Sequence, residues 1–326
     1  MSENIIILWF RKDLRVKDNL ALDAAAKEAK VFPIYINDDD NNNKRPMGSA
    51  SKVWLYNSLK SLNISLENNL NYFKGNAFDI IKDLIKNKDI MGVFWNRCYE
   101  PSSILRDTKI KKYLIDNDIK VKTFNGSLII EPWDILKDDN TPYKVFTSFY
   151  KKAYLTLKNV RIAKHEKPNV TYESNNQYSD IDILKLLSNL KWENKLISLW
   201  DVGEKAALTK LNNFLKNGIT DYKDGRDFPS KNNVSMLSPH LHFGEISVKK
   251  IWMNTSKLKS NKNTQHFLRE ICWREFSYYL LYHFPSLPEK NLQTKFNNFP
   301  WSDDDYLLSK WKIGETGYPI VDAGMK

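Results

Sequence analysis

Cysteine is scarce in this sequence, and its scarcity argues against two kinds of structure. Cys98 and Cys272 are the only cysteines in 326 residues, and neither lies in a paired motif. Disulfide frameworks and thiolate metal sites need several suitably spaced cysteines, so we expect neither. His240 and His242 are close in sequence but have no evident third ligand, and we interpret them as packing or hydrogen-bonding residues.

The sequence also lacks a long apolar run near its start. The apolar segment Ile5–Phe10 is followed at once by Arg11, Lys12 and Asp13. It is too short for a membrane span and wrongly flanked for a signal peptide. We therefore expect a cytoplasmic protein with no membrane partner.

A Gly-x-Gly-x-x-Gly turn is missing after this first apolar run, so the dinucleotide-binding fingerprint is absent. The charged segment Arg11–Arg15 stands in its place. Ligands of open α/β sheets usually bind at the carboxyl ends of the strands. This turn is therefore a candidate binding position.

Apolar runs alternate with helical patterns over residues 1–125, which predicts a doubly wound, Rossmann-like parallel sheet able to fold alone. Residues 126–203 are proline-containing and irregular, and we interpret them as a linker interrupted by a helix near 147–157. Residues 204–326 show only helical periodicity. The predicted strands are 5–10, 31–36, 70–73, 92–95 and 120–124, and the main helices are 19–30, 51–67, 77–86, 102–117, 206–217 (ending at Gly218), 239–254, 267–282 and 303–312.

The composition favours a polyanionic partner. The chain carries 50 Lys and Arg against 39 Asp and Glu, a net charge of +11, and 13% of its residues are aromatic. Such a balance suits nucleic acid. Lysine and asparagine are abundant throughout, however, so charge alone favours nucleic acid only weakly.

The segment Phe267–Ser277 carries the strongest chemical pattern. Helical spacing places Glu270, Trp273, Arg274 and Ser277 on one stripe, and Leu268, Cys272, Phe276 and Tyr279 on the opposite one. An indole, a guanidinium and a carboxylate together suit a flat anionic ligand. The alternative is a surface helix whose Trp packs against a neighbour and whose Arg and Glu pair.

Five motifs in order along the whole chain resemble the photolyase/cryptochrome flavoproteins, and the resemblance is greatest to microbial class I enzymes acting on cyclobutane pyrimidine dimers. They are Ile7–Arg15 with Asp18–Leu20, Arg226–Pro229, Leu237–Glu245, Trp273–Phe276 and Thr316–Met325. The resemblance implies an α/β antenna domain followed by an all-α FAD-binding domain. It also implies light-driven dimer repair in DNA, by electron transfer from reduced FAD, in a monomer. The alternative is a cryptochrome-like blue-light receptor without repair activity.

The resemblance also implies roles for particular residues. Glu270 and Trp273 would contact the dimer, and Trp301 would transfer electrons. Glu100, within Asn96–Glu100, would contact a methenyltetrahydrofolate antenna. The FAD contacts would be Tyr222, Val234, Ser235, Met236, Leu237, Ser238 and Phe267, and the DNA contacts Arg226, Glu270, Trp273, Arg274 and Ser277. Val234 stands where relatives often have Thr, which removes one hydroxyl.

The position of the last motif leads to one more expectation. Lys326 directly follows the segment ending at Met325. In the family a further helical stretch comes next, with the remaining FAD contacts and the inner tryptophans. We therefore expect an incomplete FAD-binding domain in a truncated form with impaired activity.

Overall fold

The computed structural model describes residues 4–38, 45–159, 166–173, 176–188 and 190–326. The chain divides into two compact units, Met1–Pro285 and Ser286–Lys326. Among the described residues, the first unit holds a sheet of five strands. They are β1 (Ile5–Phe10), β2 (Lys30–Asn37), β3 (Asn71–Lys74), β4 (Ile90–Asn96) and β5 (Lys120–Phe124).

The sheet has the strand order β3-β2-β1-β4-β5, and every neighbouring pair is parallel. The central strand β1 is buried on both faces. Ile6, Leu8 and Phe10 join the core on one face, whereas Ile7 and Trp9 join the core on the other. Burial of both faces explains why β1 is a continuous apolar run rather than an alternating one. The predicted doubly wound parallel sheet is confirmed.

Four helices connect these strands: α1 (Leu20–Ala26), α2 (Ser49–Ser65), α3 (Ala77–Asn87) and α4 (Pro101–Asp116). Side-chain caps fix two of their starts. The Asn19 side chain accepts a hydrogen bond from the Leu22 amide, and Asn76 accepts from the first amides of α3. Each helix agrees with its predicted range to within a few residues.

The segment predicted to be a linker contains α5 (Phe146–Asn159), α6 (Lys191–Ser198) and the 3₁₀ turns Pro132–Asp134 and Ile181–Leu184. Residues 160–165, 174–175 and 189 of that segment lie outside the described residues. One part of it joins β2: the Val31 amide donates to the Thr171 carbonyl at 2.8 Å, and the Glu173 amide donates to the Val31 carbonyl at 2.9 Å. The chain thus returns to the sheet after leaving it.

The helical half of the first unit packs around a separate apolar core that includes Leu211, Phe214 and Ile271. Two local predictions here were wrong. Gly218 does not cap a helix but begins the 3₁₀ turn Gly218–Asp221. The helix predicted over 239–254 is split, because Gly244 has φ +70° and ends its first half. The helices are α7 (Glu204–Lys216), α8 (Tyr222–Gly225), α9 (Ser238–Phe243), α10 (Val248–Ser256) and α11 (Lys262–His283).

The second unit, Ser286–Lys326, contains α12 (Asp305–Lys312) and α13 (Pro319–Met325). The Asp322 carboxylate accepts hydrogen bonds from the amides of Thr316 and Gly317, which closes the turn between the two helices. Of residues 286–326, all of which the structure describes, only Gly314 is buried. The apolar side chains of this unit are therefore at least partly exposed to solvent.

Candidate functional site

The long helix α11 presents two distinct faces. Phe267, Ile271 and Glu275, which are spaced by four residues, are buried, as are Cys272, Phe276 and Tyr279. Glu270, Trp273, Arg274 and Ser277 lie outside this buried stripe, as predicted, whereas Leu268 is only half-buried. The Ser277 hydroxyl donates to the Trp273 carbonyl at 2.9 Å, so its one hydrogen bond is internal to the helix.

Glu270 forms an ion pair that crosses from α11 to the end of α8. Its Oε1 lies 2.8 Å from Arg226 Nη1, and both side chains are about 30% exposed. The Arg226 guanidinium also lies over the Tyr222 ring, 5.6 Å from its centroid. Burial raises the pKa of Tyr222 more than Arg226 lowers it, so the phenol keeps its proton. The arrangement places a partly exposed cation and carboxylate next to a buried phenol.

In the segment Val234–Ser238, one residue is buried and the other four are at least partly exposed. Leu237 is 2% exposed and packs in the helical core. Val234, Met236 and Ser238 are exposed, and Ser235 is half-buried. Met236 has φ +53°, so the backbone turns sharply just before α9. Accessible hydroxyls next to a helix start suit a phosphate-bearing ligand.

Phe267, predicted to contact flavin, is buried. Its ring packs against Phe214 at 4.7 Å and Tyr222 at 5.2 Å between centroids. It therefore supports Tyr222 from within the core. A direct flavin contact by Phe267 stays a prediction.

Trp273 is 42% exposed, and one face of its indole is covered. The Phe146 ring stacks on it with a centroid distance of 3.6 Å and an interplanar angle of 10°. Phe146 belongs to α5, so sequence analysis of α11 alone missed it. A flat ligand approaching Trp273 must use its remaining surface or displace Phe146.

Arg274 does not lie beside Arg226. Its guanidinium donates to the Ser127 carbonyl at 2.9 Å and stacks over the Tyr278 ring at 4.8 Å. The hydrogen bond to Ser127 holds α11 to the segment after β5. Contact of Arg274 with DNA stays a prediction.

Glu275 is a buried acid that sequence analysis missed. Its Oε2 accepts hydrogen bonds from the Ile129 and Ile130 amides at 2.9 and 3.3 Å. Burial raises the pKa of Glu275 to about 7, and Arg274 and the two amides oppose that shift only in part. The sequence did contain a clue to this burial. Glu275 lies four residues after Ile271, so helical spacing places an acidic residue in the apolar stripe of α11.

The charged turn after β1 is bonded to other parts of the chain. Arg11, Asp13 and Arg15 are all buried. Arg11 pairs with Asp107, and Arg15 donates to the carbonyls of Gly126 and Gly244 at 2.7 and 2.8 Å. The polar groups of this turn thus join the sheet to the helices.

Glu100, the proposed antenna contact, forms an ion pair with Lys12 at the same edge of the sheet. Burial opposes ionisation of Glu100, but the charge and hydrogen bond of Lys12 outweigh it and lower the pKa. An antenna role for Glu100 stays a prediction.

The second unit holds Trp301, which is 72% exposed and 4.7 Å from the Phe299 ring. Its proposed role in electron transfer stays a prediction. In the part of the chain that the structure describes, no cluster of His, Cys, Asp or Glu could hold a metal ion. Across those same residues, no helix has both the length and the apolar character to cross a bilayer.

The structure thus combines a parallel sheet layer with a helical layer whose surface carries Arg226, Glu270 and Trp273. Residues 6–170 match the family described as DNA photolyase, and residues 267–326 match the FAD binding domain of DNA photolyase. The chain therefore belongs to the photolyase/cryptochrome family, whose cofactor is FAD.

Individual relatives agree with this family. The chain is 38% identical to a deoxyribodipyrimidine photo-lyase of Agrobacterium fabrum, over 98% of this chain and 68% of that protein. It is 34% identical to cryptochrome-2 of Arabidopsis thaliana, over 98% of this chain and 55% of that protein. The solved structure of a bacterial class III photolyase from Agrobacterium tumefaciens matches all of this chain and 68% of its own, with a TM-score of 0.89 and 38% identity. The expected likeness to class I enzymes is thus not supported, since this similar structure is of class III.

Proposed function

We propose that this protein repairs cyclobutane pyrimidine dimers in DNA, using light and reduced FAD, as a cytoplasmic monomer. The observation that carries the proposal is the Arg226–Glu270 ion pair beside the partly exposed Trp273. The family match and the relative named deoxyribodipyrimidine photo-lyase support it. The proposal assigns to this chain the activity that the name of that relative states.

The residues around the Val234–Ser238 segment fit FAD. The exposed Ser238 and half-buried Ser235 would bind the diphosphate and ribityl groups, and Tyr222 would add a further contact. Reduced FAD, when bound, would supply an excited electron that opens the cyclobutane ring. Val234 has no hydroxyl, so this position contributes only apolar contact.

The side chains on α11 would hold the damaged bases. Glu270 can accept a hydrogen bond from a base N–H, and the indole of Trp273 can pack on the dimer. Arg226 is close enough to Glu270 to orient its carboxylate before DNA arrives. A DNA backbone phosphate would then replace Glu270 as the partner of the Arg226 guanidinium. The Glu270 carboxylate would then be free to bind the base.

One observation favours a second function. The 34% identity to Arabidopsis cryptochrome-2 is close to the 38% identity to the photo-lyase. A blue-light receptor would bind flavin without discriminating damaged from intact DNA. Recognition of the lesion therefore separates the two functions.

Replacement of Glu270 by Ala should reduce the preference for dimer-containing DNA about 10-fold or more. A lost hydrogen bond to a charged acceptor costs about 1.5–3 kcal/mol. The measurement is fluorescence anisotropy in the dark with labelled duplexes that contain or lack one thymine dimer. Glu270→Gln is the matched control, because it keeps an oxygen acceptor and should retain part of the preference. Equal affinity of the wild-type protein for both duplexes, or tighter binding of (6-4) photoproducts, would refute dimer recognition.

Purified protein of residues 1–326 should bind FAD more weakly and repair DNA more slowly than the Agrobacterium relative. Val234 and Met236 face solvent, as do Tyr318 and Ile320 in the second unit, so neither segment by itself provides a dry wall for a flavin. Each hydrogen bond that water replaces weakens binding by about 1 kcal/mol. Bound flavin is measured by absorbance after gel filtration, and repair by illumination of dimer-containing DNA. The Agrobacterium relative serves as the positive control. One FAD per chain together with normal repair would contradict this expectation.

A further inference from the structure

Next to Trp273, a row of aromatic rings extends along α5. Phe146, Tyr150 and Tyr154 are spaced by four residues, which puts them on one face of the helix with an axial rise of about 6 Å between neighbours. The ring centroids are 5.5 Å apart from Phe146 to Tyr150 and 5.6 Å apart from Tyr150 to Tyr154. Phe146 stacks on Trp273, so the row starts at the candidate lesion site.

The row is more accessible at its far end. Phe146 is 4% exposed and belongs to the helical core. Tyr150 is half-buried, and Tyr154 is 37% exposed. Packing between α5 and α11 explains why residue 146 is aromatic. That packing does not require an aromatic ring at the solvent-facing position 154.

Positive charge lines the same surface. The Arg269 guanidinium on α11 lies 5.5 Å from the Phe146 ring centroid and 5.7 Å from that of Tyr150. Lys151, which follows Tyr150 in sequence, is exposed, and the sequence of α5 contains no acidic residue. Aromatic rings flanked by cations are the arrangement that binds single-stranded nucleic acid, since bases stack and phosphates pair.

We propose that Tyr150, Tyr154 and Arg269 bind single-stranded DNA next to the lesion, with Tyr154 stacking on an unpaired base. This inference rests on the proposed function, because taking a dimer out of the duplex leaves the bases opposite it unpaired. The surface thus extends the binding site from the lesion to the unpaired strand. The positive charge of the surface makes a nucleic-acid strand the fitting occupant.

The test measures binding of a labelled oligothymidylate without damage, which needs neither flavin nor light. Tyr154→Ala should weaken binding about 5-fold or more, because stacking on one base contributes about 1–3 kcal/mol. Tyr154→Phe keeps the ring and should bind within about 2-fold of wild type. Tyr113→Ala is the matched control, because Tyr113 is a half-buried tyrosine on α4 that packs against Phe78. Circular dichroism checks that each variant is folded.

A salt titration separates stacking from charge. Arg269→Gln should reduce the slope of log K against log salt by about 0.7, the value for one phosphate contact on a single strand. Tyr154→Ala should leave that slope unchanged. If Tyr154→Ala and Tyr113→Ala bind the oligonucleotide alike, or if Arg269→Gln keeps the full slope, the inference is overturned. The preference for dimers, measured separately with Glu270→Ala, shows whether the proposed function itself has failed.

Discussion

Replacement of Gly244 by Ala should destabilise the first unit by about 2–5 kcal/mol. Gly244 has φ +70°, a conformation that costs an L-residue about 1–2 kcal/mol. A Cβ at this position would also lie 2.0 Å from the Lys12 carbonyl oxygen and 2.6 Å from the Asp13 Cα. These neighbours are backbone atoms and cannot rotate away, so the turn between α9 and α10 would have to leave its place on the sheet.

Urea denaturation followed by tryptophan fluorescence measures this loss. Gly75→Ala provides the control, because Gly75 also has positive φ but an added Cβ would meet only the Ile80 side chain at 3.8 Å. It should lose clearly less stability than Gly244→Ala. Equal losses for the two variants would show that backbone strain, rather than overlap with Lys12, determines the effect.

Replacement of Glu275 by Gln should make the protein relatively more stable as the pH rises. The pKa of Glu275 is raised from 4.5 to about 7 in the folded chain, so the folded state holds a proton that the unfolded state has lost between these values. The free energy of unfolding therefore falls as the pH rises from about 4.5 to 7, by about 3 kcal/mol for this group. Glutamine remains neutral and keeps an oxygen to accept from the Ile129 and Ile130 amides.

The quantity to measure is the difference in unfolding free energy between Glu275→Gln and wild type at pH 5, 6, 7 and 8. It should increase in favour of the variant from pH 5 to 7 and level off towards pH 8. Glu67→Gln, at an exposed carboxylate, controls for removal of a surface charge. A difference that stays constant with pH would mean that Glu275 is ionised throughout.

The sheet could be predicted from the sequence because its signal is local. Continuous apolar runs such as Ile5–Phe10 become strands buried on both faces, and the polar termini of the helices supply their own caps. The prediction of one continuous helix across residue 244 was wrong. The break at Gly244 depends on the close approach of the Lys12 backbone in the fold. Local patterns carry no information about such an approach.

The candidate site was predictable only in part for the same reason. Helical spacing placed Glu270 and Trp273 on the outer face of α11, and the structure agrees. The partner of Glu270 is Arg226, 44 positions earlier, and the ring on Trp273 comes from α5. The charged turn after β1 looked like a ligand site because its partners, such as Gly126 and Gly244, are distant in sequence.

Arg15 makes the order of synthesis matter for this chain. One of its carbonyl partners lies 111 residues further on and another 229 residues further on. At about 5–20 residues per second, the ribosome needs roughly 10–50 s after Arg15 to deliver Gly244. During that interval the Arg15 guanidinium has the nearby Asp18 carbonyl as an acceptor but not the two distant ones. A fragment ending at residue 125 would lack both distant carbonyls permanently, so we expect the α/β layer to fold alone but to be less stable than in the full chain.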